Sequence, residues 1–354
     1  MYIIPIIIAA VAFLISLFLT KVVIIFCKKY SFYDSTNARK IHTGNIPRLG
    51  GVAFVLSFFA ALVVYSLVFK GIPVKHSVPL IVSGSIIFFF CILDDFLDIR
   101  AVIKLCVQII AVTIVVLNGF RFESICGWKL PLWFSYLLTF GWCLGLINAY
   151  NLIDGLDSLC GFLSLSVFMT IGITCVVMSD MNGFICIFLA TAILGFLVFN
   201  MPPAKIFMGD CGSQFLGFMI AVTPLSINIE KIEFNKFLLV FLLSSIPVFD
   251  TIATIWRRIR DHRSVMAPDR LHLHHKLLNL GLSIKGTLVV IALIQCGICI
   301  SAALSMFMPE KFGTVILILA LMFVTLAFSM LHFIHWNVLK KHNQLGVAVP
   351  DLTK

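Results

Sequence analysis

The chain has 354 residues, of which 61% are hydrophobic and 12% are charged, and its mean hydropathy is +1.09. Soluble domains are about half apolar and about a quarter charged, so the composition excludes a soluble globular protein and indicates an integral membrane protein. The formal net charge of +10 favours contact with an anionic membrane leaflet. Since the sequence carries no nucleic-acid-binding motif, we expect no nucleic-acid partner.

Eleven apolar segments follow one another along the chain, and such runs can cross a lipid bilayer as helices. They cover roughly residues 2–26, 50–69, 78–93, 102–118, 131–147, 159–178, 184–200, 213–229, 237–255, 286–307 and 313–335. We read the first as a span and not as a cleavable signal peptide, because it lacks a basic start and a small-residue cleavage site. The sequence therefore predicts an all-α, polytopic membrane protein with about 11 transmembrane helices, formed by a single domain over residues 1–354.

The charges sort the loops onto two sides of the membrane. Loops that follow the odd-numbered segments carry nineteen Lys and Arg residues, and the other loops carry seven. The positive-inside rule makes the first set cytoplasmic, which places the N-terminus outside and the tail 336–354 inside. Eleven of the twelve Asp residues fall on or near the cytoplasmic side, whereas all four Glu residues are outside. This sorting indicates a site that needs short carboxylates on one face.

The first cytoplasmic loop, 27–49, is basic and leads into the second segment through Pro47 and two glycines. It contains Arg39, Lys40 and Arg48. Taken alone, the pattern fits a topological anchor as well as a ligand site, so the roles of these three cations stay open.

The next cytoplasmic loop, 94–104, begins with three carboxylates. The stretch FFFCILDDFLDIR runs from apolar residues straight into Asp94, Asp95 and Asp98. On a helix, Asp94 and Asp98 lie one turn apart, where like charges repel, and ionised groups in a membrane helix are costly. The trio is therefore either a solvated helix end or a cluster for a divalent metal or for acid–base chemistry.

The stretch NAYNLIDGLDSL, 148–159, repeats a polar side chain every three residues. Asn148, Asn151, Asp154 and Asp157 would wind slowly round a helix and face one cavity. Capping and turn formation would explain one or two such residues and not four in step.

In KIFMGDCGSQFLG, 205–217, glycines flank Asp210 in the motif loop 201–213. Ser213 can cap the helix that follows, and a glycine-rich entry into a helix N-terminus suits a phosphate. An ordinary loop between spans would look similar.

The last motif loop, 256–285, is rich in cations: residues 257–281 contain five Arg, one Lys and four His. A zinc site is conceivable, but no Cys or Glu stands at the usual ligand spacing. Arg binds phosphate oxygens bidentately and His donates hydrogen bonds or protons, whereas contact with anionic lipid would explain the arginines alone. Together, the cytoplasmic clusters predict phosphoryl chemistry on a nucleotide at a membrane surface.

In combination, these motifs resemble the polyprenyl-phosphate N-acetylhexosamine-1-phosphate transferases. DDFLDIR is similar to the first Asp motif of that family, NAYNLIDGLDSL to its NxxNxxDGxDGL, and FMGDCGS to its MGDxGS. APDRLHLHH is similar to the PDRxHLHH of the bacterial branch that uses undecaprenyl phosphate and UDP-GlcNAc, and RKIHTGNIPRLGG to the basic motif after the first helix. The resemblance spans residues 39–275.

The resemblance implies an enzyme of the bacterial cytoplasmic membrane that acts on a cell-surface glycan pathway. It would transfer an N-acetylhexosamine 1-phosphate, with GlcNAc as the favoured sugar, from a UDP-sugar to undecaprenyl phosphate and release UMP. Mg²⁺ would be the cofactor, with Mn²⁺ as a substitute, and a homodimer is implied by the family.

The resemblance also implies roles for single residues. Asp94 and Asp95 would form the catalytic acidic pair, with Asp94 as the base that deprotonates the lipid phosphate, and Asp154 would support the metal site. Asp210 would be the principal Mg²⁺ ligand, with Asn151 assisting. Contacts to the substrates are expected from Lys104, Asn148, Asp157, Arg270, His272, His274 and His275. The roles of Asp98 and Asp250 stay open.

Two departures from the family pattern matter. Ser158 stands where the second motif usually has glycine, which puts the local backbone geometry in question. LHLHH in place of an HHHFE-like pattern argues against the branch that acts on UDP-MurNAc-pentapeptide. Another UDP-N-acetyl sugar, a two-step route through an Asp nucleophile, and an ion or phosphate transporter with charges near the bilayer midplane remain open.

Overall fold

The fold is that of a computed structural model, which describes residues 2–33, 46–69, 74–97, 99–227, 229–262, 264 and 271–344. In chain order the helices are α1 (Ile3–Tyr30), α2 (Gly50–Val68), α3 (Val74–Leu97), α4 (Ala101–Leu117), α5 (Leu132–Ile153), α6 (Leu159–Val177), α7 (Gly183–Asn200), α8 (Gly209–Val222), α9 (Glu230–Leu243), α10 (Ser245–Arg260), α11 (Leu273–Asn279), α12 (Ile284–Phe307) and α13 (Glu310–Gln344). Between α4 and α5, the two-residue strands β1 (Ser124–Ile125) and β2 (Trp128–Lys129) form a small antiparallel hairpin.

The prediction of an all-α, polytopic membrane protein is confirmed. In the described part of the chain, eight helices are long and apolar enough to cross a bilayer, namely α1, α2, α3, α5, α6, α7, α12 and α13. Helices α9 and α10 add a ninth span if their 64° bend lies inside one crossing, and α4 is a shorter apolar helix of 17 residues. The predicted segment 213–229 contains most of α8 and a 3₁₀ turn at Thr223–Ser226. The count of eleven spans therefore stays a prediction.

Helix α8 lies at the centre of the bundle and packs against α3 and α5. Every residue from Cys211 to Val222 is buried, as expected for a helix that contacts other helices instead of lipid. At Gly217, an added Cβ would lie 2.7 Å from the Leu146 carbonyl oxygen, so glycine is what permits the close approach of α5. Protein on several sides therefore fixes the start of α8, where Asp210 lies.

Small and hydroxyl-bearing residues hold α1, α2 and α7 together. Ser57 Oγ donates to the Ala12 carbonyl (2.6 Å), and Ser16 Oγ donates to the Ala192 carbonyl (2.5 Å). Such contacts are typical of helix packing in membranes, where apolar burial alone gives little preference for protein over lipid. They fix α2, whose first residues reach the start of α8.

Candidate active site

Backbone hydrogen bonds join the segments that precede α2 and α8. The Phe207 N–H donates to the Pro47 carbonyl (2.7 Å), and the Gly50 N–H donates back to the Phe207 carbonyl (2.8 Å). The Gly51 N–H donates to the Met208 carbonyl (2.8 Å). The end of the basic loop 27–49 is thereby placed beside Asp210.

Asp95, at the end of α3, caps the N-terminus of α8. Its Oδ1 accepts hydrogen bonds from the Asp210 N–H (3.0 Å) and from Arg48 Nη2 (2.9 Å), and its Oδ2 accepts one from the Cys211 N–H (3.1 Å). The carboxylate has no exposed surface. A negative charge at this end of a helix is stabilised by the free N–H groups and by the helix dipole. Asp95 and Arg48 therefore position the start of α8, and the predicted catalytic role of Asp95 stays a prediction.

Two expectations about the start of α8 are wrong. The helix begins at Gly209 and not after Ser213, and none of its own side chains caps it. Ser213 Oγ instead lies 3.2 Å from the Gly209 carbonyl. The N–H groups of Asp210 and Cys211, which the sequence offered to a phosphate, are occupied by Asp95. The anion at this helix terminus is a side chain of the protein itself.

Asp94, Lys104 and Asp210 form a charged cluster beside this terminus. Lys104 Nζ lies 2.5 Å from Asp94 Oδ2 and 3.2 Å from Asp210 Oδ2. Asp94 Oδ1 accepts the Ile99 N–H (2.9 Å). The side chain of Asp94 is 3% exposed, whereas that of Asp210 is 31% exposed. One ammonium thus bridges two carboxylates, and Asp210 is the acid of the cluster that a ligand can reach.

A line of three amide side chains leads to Asp210, and only one of them, Asn148, was predicted as a site residue. Gln214 Nε2 lies 3.3 Å from Asp210 Oδ2, Gln108 Nε2 lies 2.9 Å from Gln214 Oε1, and Asn148 Nδ2 lies 3.0 Å from Gln108 Oε1. The signal that could have revealed the two glutamines is their position inside apolar segments, since polar side chains in membrane helices are costly. The predicted substrate contact of Asn148 stays a prediction, and its amide nitrogen bonds within the protein.

The four polar residues at three-residue spacing do not share one helix, because α5 ends at Ile153. Asn148 and Asn151 lie on α5, and Asp154 and Asp157 lie in the turn that follows. The expectation that all four wind round a single helix is wrong. The turn carries Asp157 away toward the loop before α8.

Asp157 and Asn200 tie this turn to the 201–206 segment. Asp157 Oδ2 accepts a hydrogen bond from the Ala204 N–H (3.0 Å), and Asp157 is 3% exposed. Asn200 Oδ1 accepts the Ser158 N–H (2.9 Å), and Asn200 Nδ2 donates to the Ile206 carbonyl (2.7 Å). The predicted contact of Asp157 with the nucleotide is untested and stays a prediction. Its described bond anchors the loop that leads to Asp210.

Ser158 has the left-handed backbone conformation that glycine favours, with φ +61°. We expect Ser158→Gly to stabilise the protein by about 0.5–1 kcal/mol, because the strain of a Cβ at positive φ exceeds the added entropy of glycine in the unfolded chain. Thermal unfolding in detergent measures the change. Ser164→Gly, inside α6 and also buried, is the matched control and should destabilise. A lower melting temperature for Ser158→Gly would contradict this account of the turn.

Asp250, to which the sequence gave no role, lies on α10 and holds the segment that contains His272, His274 and His275 against this helix. Its Oδ2 lies 2.7 Å from His272 Nδ1, and its Oδ1 accepts the Leu273 N–H (2.7 Å). Asp250 and His272 are both buried. Because His272 immediately precedes α11, the carboxylate fixes both the orientation of the ring and the start of that helix.

His274 lies against the turn after α5 and is 1% exposed. A Cβ added at Gly155 would lie 2.9 Å from His274 Nε2, so the absence of a side chain there makes room for the ring. The centroids of the His274 and His275 rings are 4.2 Å apart. Burial and the neighbouring His275 and His272 hold the pKa of His274 well below its usual range. His274 is therefore neutral at neutral pH, and among the described residues neither of its ring nitrogens has a hydrogen-bond partner.

Arg270, a predicted substrate contact, and three residues with open roles, Arg39, Lys40 and Asp98, lie outside the described residues. The described members of the five motif loops meet around the start of α8 and the turn after α5. The predicted site residues that the structure describes are thus brought together at one end of the bundle.

The cluster has features that suit a hard cation. Within the described ranges, no three His, Cys, Asp or Glu side chains are grouped as a metal-ligand set. Mg²⁺ commonly uses only one or two carboxylates together with waters and substrate phosphates. Lys104 and Gln214 engage Oδ2 of Asp210, and none of the described hydrogen bonds uses Oδ1. Asn151 Oδ1 accepts a bond from Ser213 Oγ (3.0 Å), which places this amide beside the start of α8.

Comparison with known proteins identifies the family. Residues 77–228 match glycosyl transferase family 4. The chain is similar to the probable undecaprenyl-phosphate N-acetylglucosaminyl 1-phosphate transferase of Bacillus subtilis (strain 168), with 32% identity over 337 residues, 90% of this chain and 89% of that protein. It is 31% identical to the decaprenyl-phosphate N-acetylglucosaminephosphotransferase of Mycobacterium leprae (strain TN) over 341 residues, 86% of this chain and 85% of that protein.

A further relative is the undecaprenyl-phosphate alpha-N-acetylglucosaminyl 1-phosphate transferase of Escherichia coli O157:H7. The identity is 29% over 365 residues, which cover 96% of this chain and 98% of that protein. The matches thus extend over most of the chain and confirm the resemblance found in the motifs. The chain belongs to glycosyl transferase family 4, with the polyprenyl-phosphate N-acetylglucosamine-1-phosphate transferases.

Proposed function

We propose that the protein transfers N-acetylglucosamine 1-phosphate from UDP-GlcNAc to undecaprenyl phosphate and releases UMP, as the first membrane step of a cell-surface glycan pathway. The observation that carries the proposal is the cluster of Asp94, Lys104 and Asp210 at the start of α8, in a chain whose relatives are named for this transfer. The site would face the cytoplasm of a bacterium, in accord with the excess of Lys and Arg in the loops that carry it.

Asp210, through its Oδ1, and Asn151 are the residues that would hold Mg²⁺, with Mn²⁺ as a substitute, and Asp154 would support them. When bound, the cation would neutralise the pyrophosphate of the donor and polarise its β-phosphorus. The 31% exposure of the Asp210 side chain and the bonds that hold its Oδ2 support this assignment.

Lys104 and Asp94 would act on the acceptor. The Lys104 side chain is 22% exposed, so its ammonium would contact a lipid phosphate while it remains paired with the two carboxylates. Asp94 would receive a proton left on that phosphate through the Lys104 ammonium, which gives a proton to Asp94 and takes one from the phosphate. A phosphate oxygen of the lipid then bonds to the β-phosphorus, and the bond from the β-phosphorus to the bridging oxygen breaks, with its electron pair leaving on UMP.

This direct route fits the surroundings of Asp94 better than a covalent route. Its two oxygens bond to Lys104 and to the Ile99 N–H, and the side chain is 3% exposed. A nucleophile needs an open path to the phosphorus, which a carboxylate in this state lacks. A phospho-sugar enzyme that is trapped in the wild type and lost in Asp94→Asn would overturn the direct route.

The last motif loop, 256–285, which carries the histidines, would hold the pyrophosphate and the sugar of the donor. We assign these contacts to Arg270 and to His272, His274 and His275. The ring of His274, which is neutral and packs on Gly155, would serve as a hydrogen-bonding or packing group and not as a cation. Asp157, buried beside the same turn, would act near the uridine.

Transport and transfer from a different donor sugar are less well supported. A transporter is not favoured, because the chain belongs to a transferase family. UDP-MurNAc-pentapeptide and other UDP-N-acetyl sugars use the same chemistry, but the Bacillus and Mycobacterium relatives are named for N-acetylglucosamine. The homodimer that the family implies stays a prediction.

Purified protein with UDP-GlcNAc, undecaprenyl phosphate and Mg²⁺ tests the proposed function through the release of UMP. Parallel reactions with UDP-GalNAc and UDP-MurNAc-pentapeptide identify the donor. Asp180→Asn, in the loop between α6 and α7 on the opposite side, is the matched control and should leave turnover unchanged. Absence of UMP with every donor, from protein that is folded, would overturn the proposal.

We expect Asp250→Ala to raise the KM for the UDP-sugar about tenfold, with a smaller change in kcat, because a ring that loses its orienting carboxylate binds less well. Steady-state kinetics with varied donor give the two constants. Asp261→Ala, which removes a carboxylate paired with the exposed Arg260, is the control. An unchanged KM, or a loss confined to kcat, would argue against a role of the Asp250–His272 pair in donor binding.

A further inference from the structure

Three amide side chains on three helices form an unbroken hydrogen-bonded line that ends on Asp210. Asn148 on α5 contacts Gln108 on α4 (3.0 Å), Gln108 contacts Gln214 on α8 (2.9 Å), and Gln214 contacts Asp210 Oδ2 (3.3 Å). We call this line the amide chain. Its two glutamines are buried, with exposures of 4% and 1%.

The direction of donation along the amide chain is set by its two ends. A carboxylate can only accept, so Gln214 must turn its NH₂ group toward Asp210 and its carbonyl toward Gln108. Gln108 must then donate to Gln214 and accept from Asn148. At the far end, the Asn148 NH₂ group also donates to the Leu144 carbonyl (2.8 Å). The two ends therefore require the same direction, and no amide can flip alone without opposing two like groups.

Helix packing alone does not require this arrangement. Amides that only join membrane helices can bond to one another or to backbone carbonyls, as Gln295 on α12 does with the Leu243 carbonyl (3.2 Å). The amide chain instead ends on the side chain that is 31% exposed and that Lys104 also contacts through the same oxygen. Two donors thus hold Oδ2, and Oδ1 is the oxygen left to face a ligand.

We propose that Gln108 and Gln214 are positioning residues, which fix the rotation of the Asp210 carboxylate so that Oδ1 faces the cation and the donor pyrophosphate. This inference rests on the proposed function, because it gives Asp210 the role of cation ligand. Gln214 acts on Asp210 directly, and Gln108 acts only through Gln214. Asn148, at the exposed end of the amide chain, sets the direction of hydrogen-bond donation.

The test is binding of Mn²⁺ to the purified, substrate-free protein, followed by electron paramagnetic resonance, together with kcat and the melting temperature. In Gln214→Met the hydrogen bond to a charged oxygen is lost, and we expect the Mn²⁺ dissociation constant to rise about tenfold and kcat to fall by a similar factor. Gln108→Met should give the same change to a smaller extent, although residue 108 does not touch Asp210. Gln295→Met, a buried amide outside the chain, is the control and should change neither quantity.

The double variant distinguishes a chain from two separate packing effects. If Gln108 acts through Gln214, the double variant that carries both Gln108→Met and Gln214→Met should bind Mn²⁺ no more weakly than the single variant Gln214→Met. Effects that simply add would overturn the proposal. So would folded single variants whose Mn²⁺ affinity and kcat stay within about twofold of the wild type, a change that the loss of a hydrogen bond to a charged group exceeds.

Asn148→Asp provides a second test if the methionine variants do not fold, because residue 148 is exposed. An aspartate cannot donate to Gln108, so the amide chain would have an acceptor at each end, and one of its three hydrogen bonds would be lost. We expect weaker Mn²⁺ binding, the opposite of what an added negative charge gives by attraction alone. Equal or tighter binding would overturn the proposal.

Failure of the proposed function and failure of this inference give different results. A wild type that binds no Mn²⁺ and releases no UMP would overturn the proposed function and this inference with it. An active wild type with unaffected variants would overturn the inference only.

Discussion

Asp210→Asn should lower kcat for UMP release by roughly a thousandfold or more, since a carboxylate that holds a catalytic cation accounts for several kcal/mol of barrier lowering. The fold should tolerate the change. The side chain is 31% exposed and shares Lys104 with Asp94, so loss of its charge also removes a repulsion between two acids. We therefore expect an unchanged or slightly higher melting temperature together with a nearly inactive enzyme.

The measurement combines UMP release with thermal unfolding in detergent, on wild type, Asp210→Asn and Asp180→Asn. The control removes a carboxylate that accepts a backbone hydrogen bond from Asn182 on the opposite side of the protein, and it should keep full activity. Folded Asp210→Asn protein with kcat within about tenfold of the wild type would contradict the assignment of Asp210 as principal cation ligand.

Gly209→Ala should destabilise the protein by roughly 2–5 kcal/mol and abolish activity, because three constraints meet at this residue. Its backbone has φ +74°, a region that alanine avoids. An added Cβ would lie 2.2 Å from the Arg48 carbonyl and 2.8 Å from Asp95 Oδ2. The methyl group would therefore push Asp95 away from the N–H groups that it caps and displace the start of α8.

Gly145→Ala is the matched control, since an added Cβ in this part of α5 meets nothing within 4 Å. It should leave activity intact and stabilise α5 by up to about 1 kcal/mol, because alanine is the better helix former. Melting temperatures and UMP release of the two variants give the comparison. A Gly209→Ala protein that melts and turns over as the wild type does would show that Asp95 does not depend on this close contact.

The sequence was sufficient to predict which types of residue form the site, but it was insufficient to predict the role of each residue. Asp94 and Asp95 are neighbours with the same side chain, and the sequence treats them as a pair. In the folded chain, Asp94 bonds to Lys104, whereas Asp95 bonds to backbone N–H groups about 115 positions away along the chain and is fully buried. Which acid lies beside the substrate depends on how α3 packs against α8.

The two glutamines of the amide chain are residues whose proposed role could not be predicted from the sequence. In the sequence, Gln108 is a single polar residue in an apolar segment, and Gln214 lies in the stretch 205–217 just after FMGDCGS, the part that resembles the family motif. They acquire a function only because α4, α5 and α8 bring them into line, across a separation of 106 residues. Periodicity reports which face of a helix a residue occupies, but it does not report which helix packs against that face.

By itself, the sequence determined the membrane class, the helical fold, the family, and the loops that carry acids and bases. These properties follow from local composition and spacing, because a bilayer accepts long apolar helices and confines charge to their ends. The tertiary structure alone decided that Asp95 caps α8, that Asp157 and Asp250 hold loops in place, and that Lys104 and Gln214 both contact Oδ2 of Asp210. The physical reason is that a side chain's role is set by its hydrogen-bond partners, and these come from distant parts of the chain through helix packing.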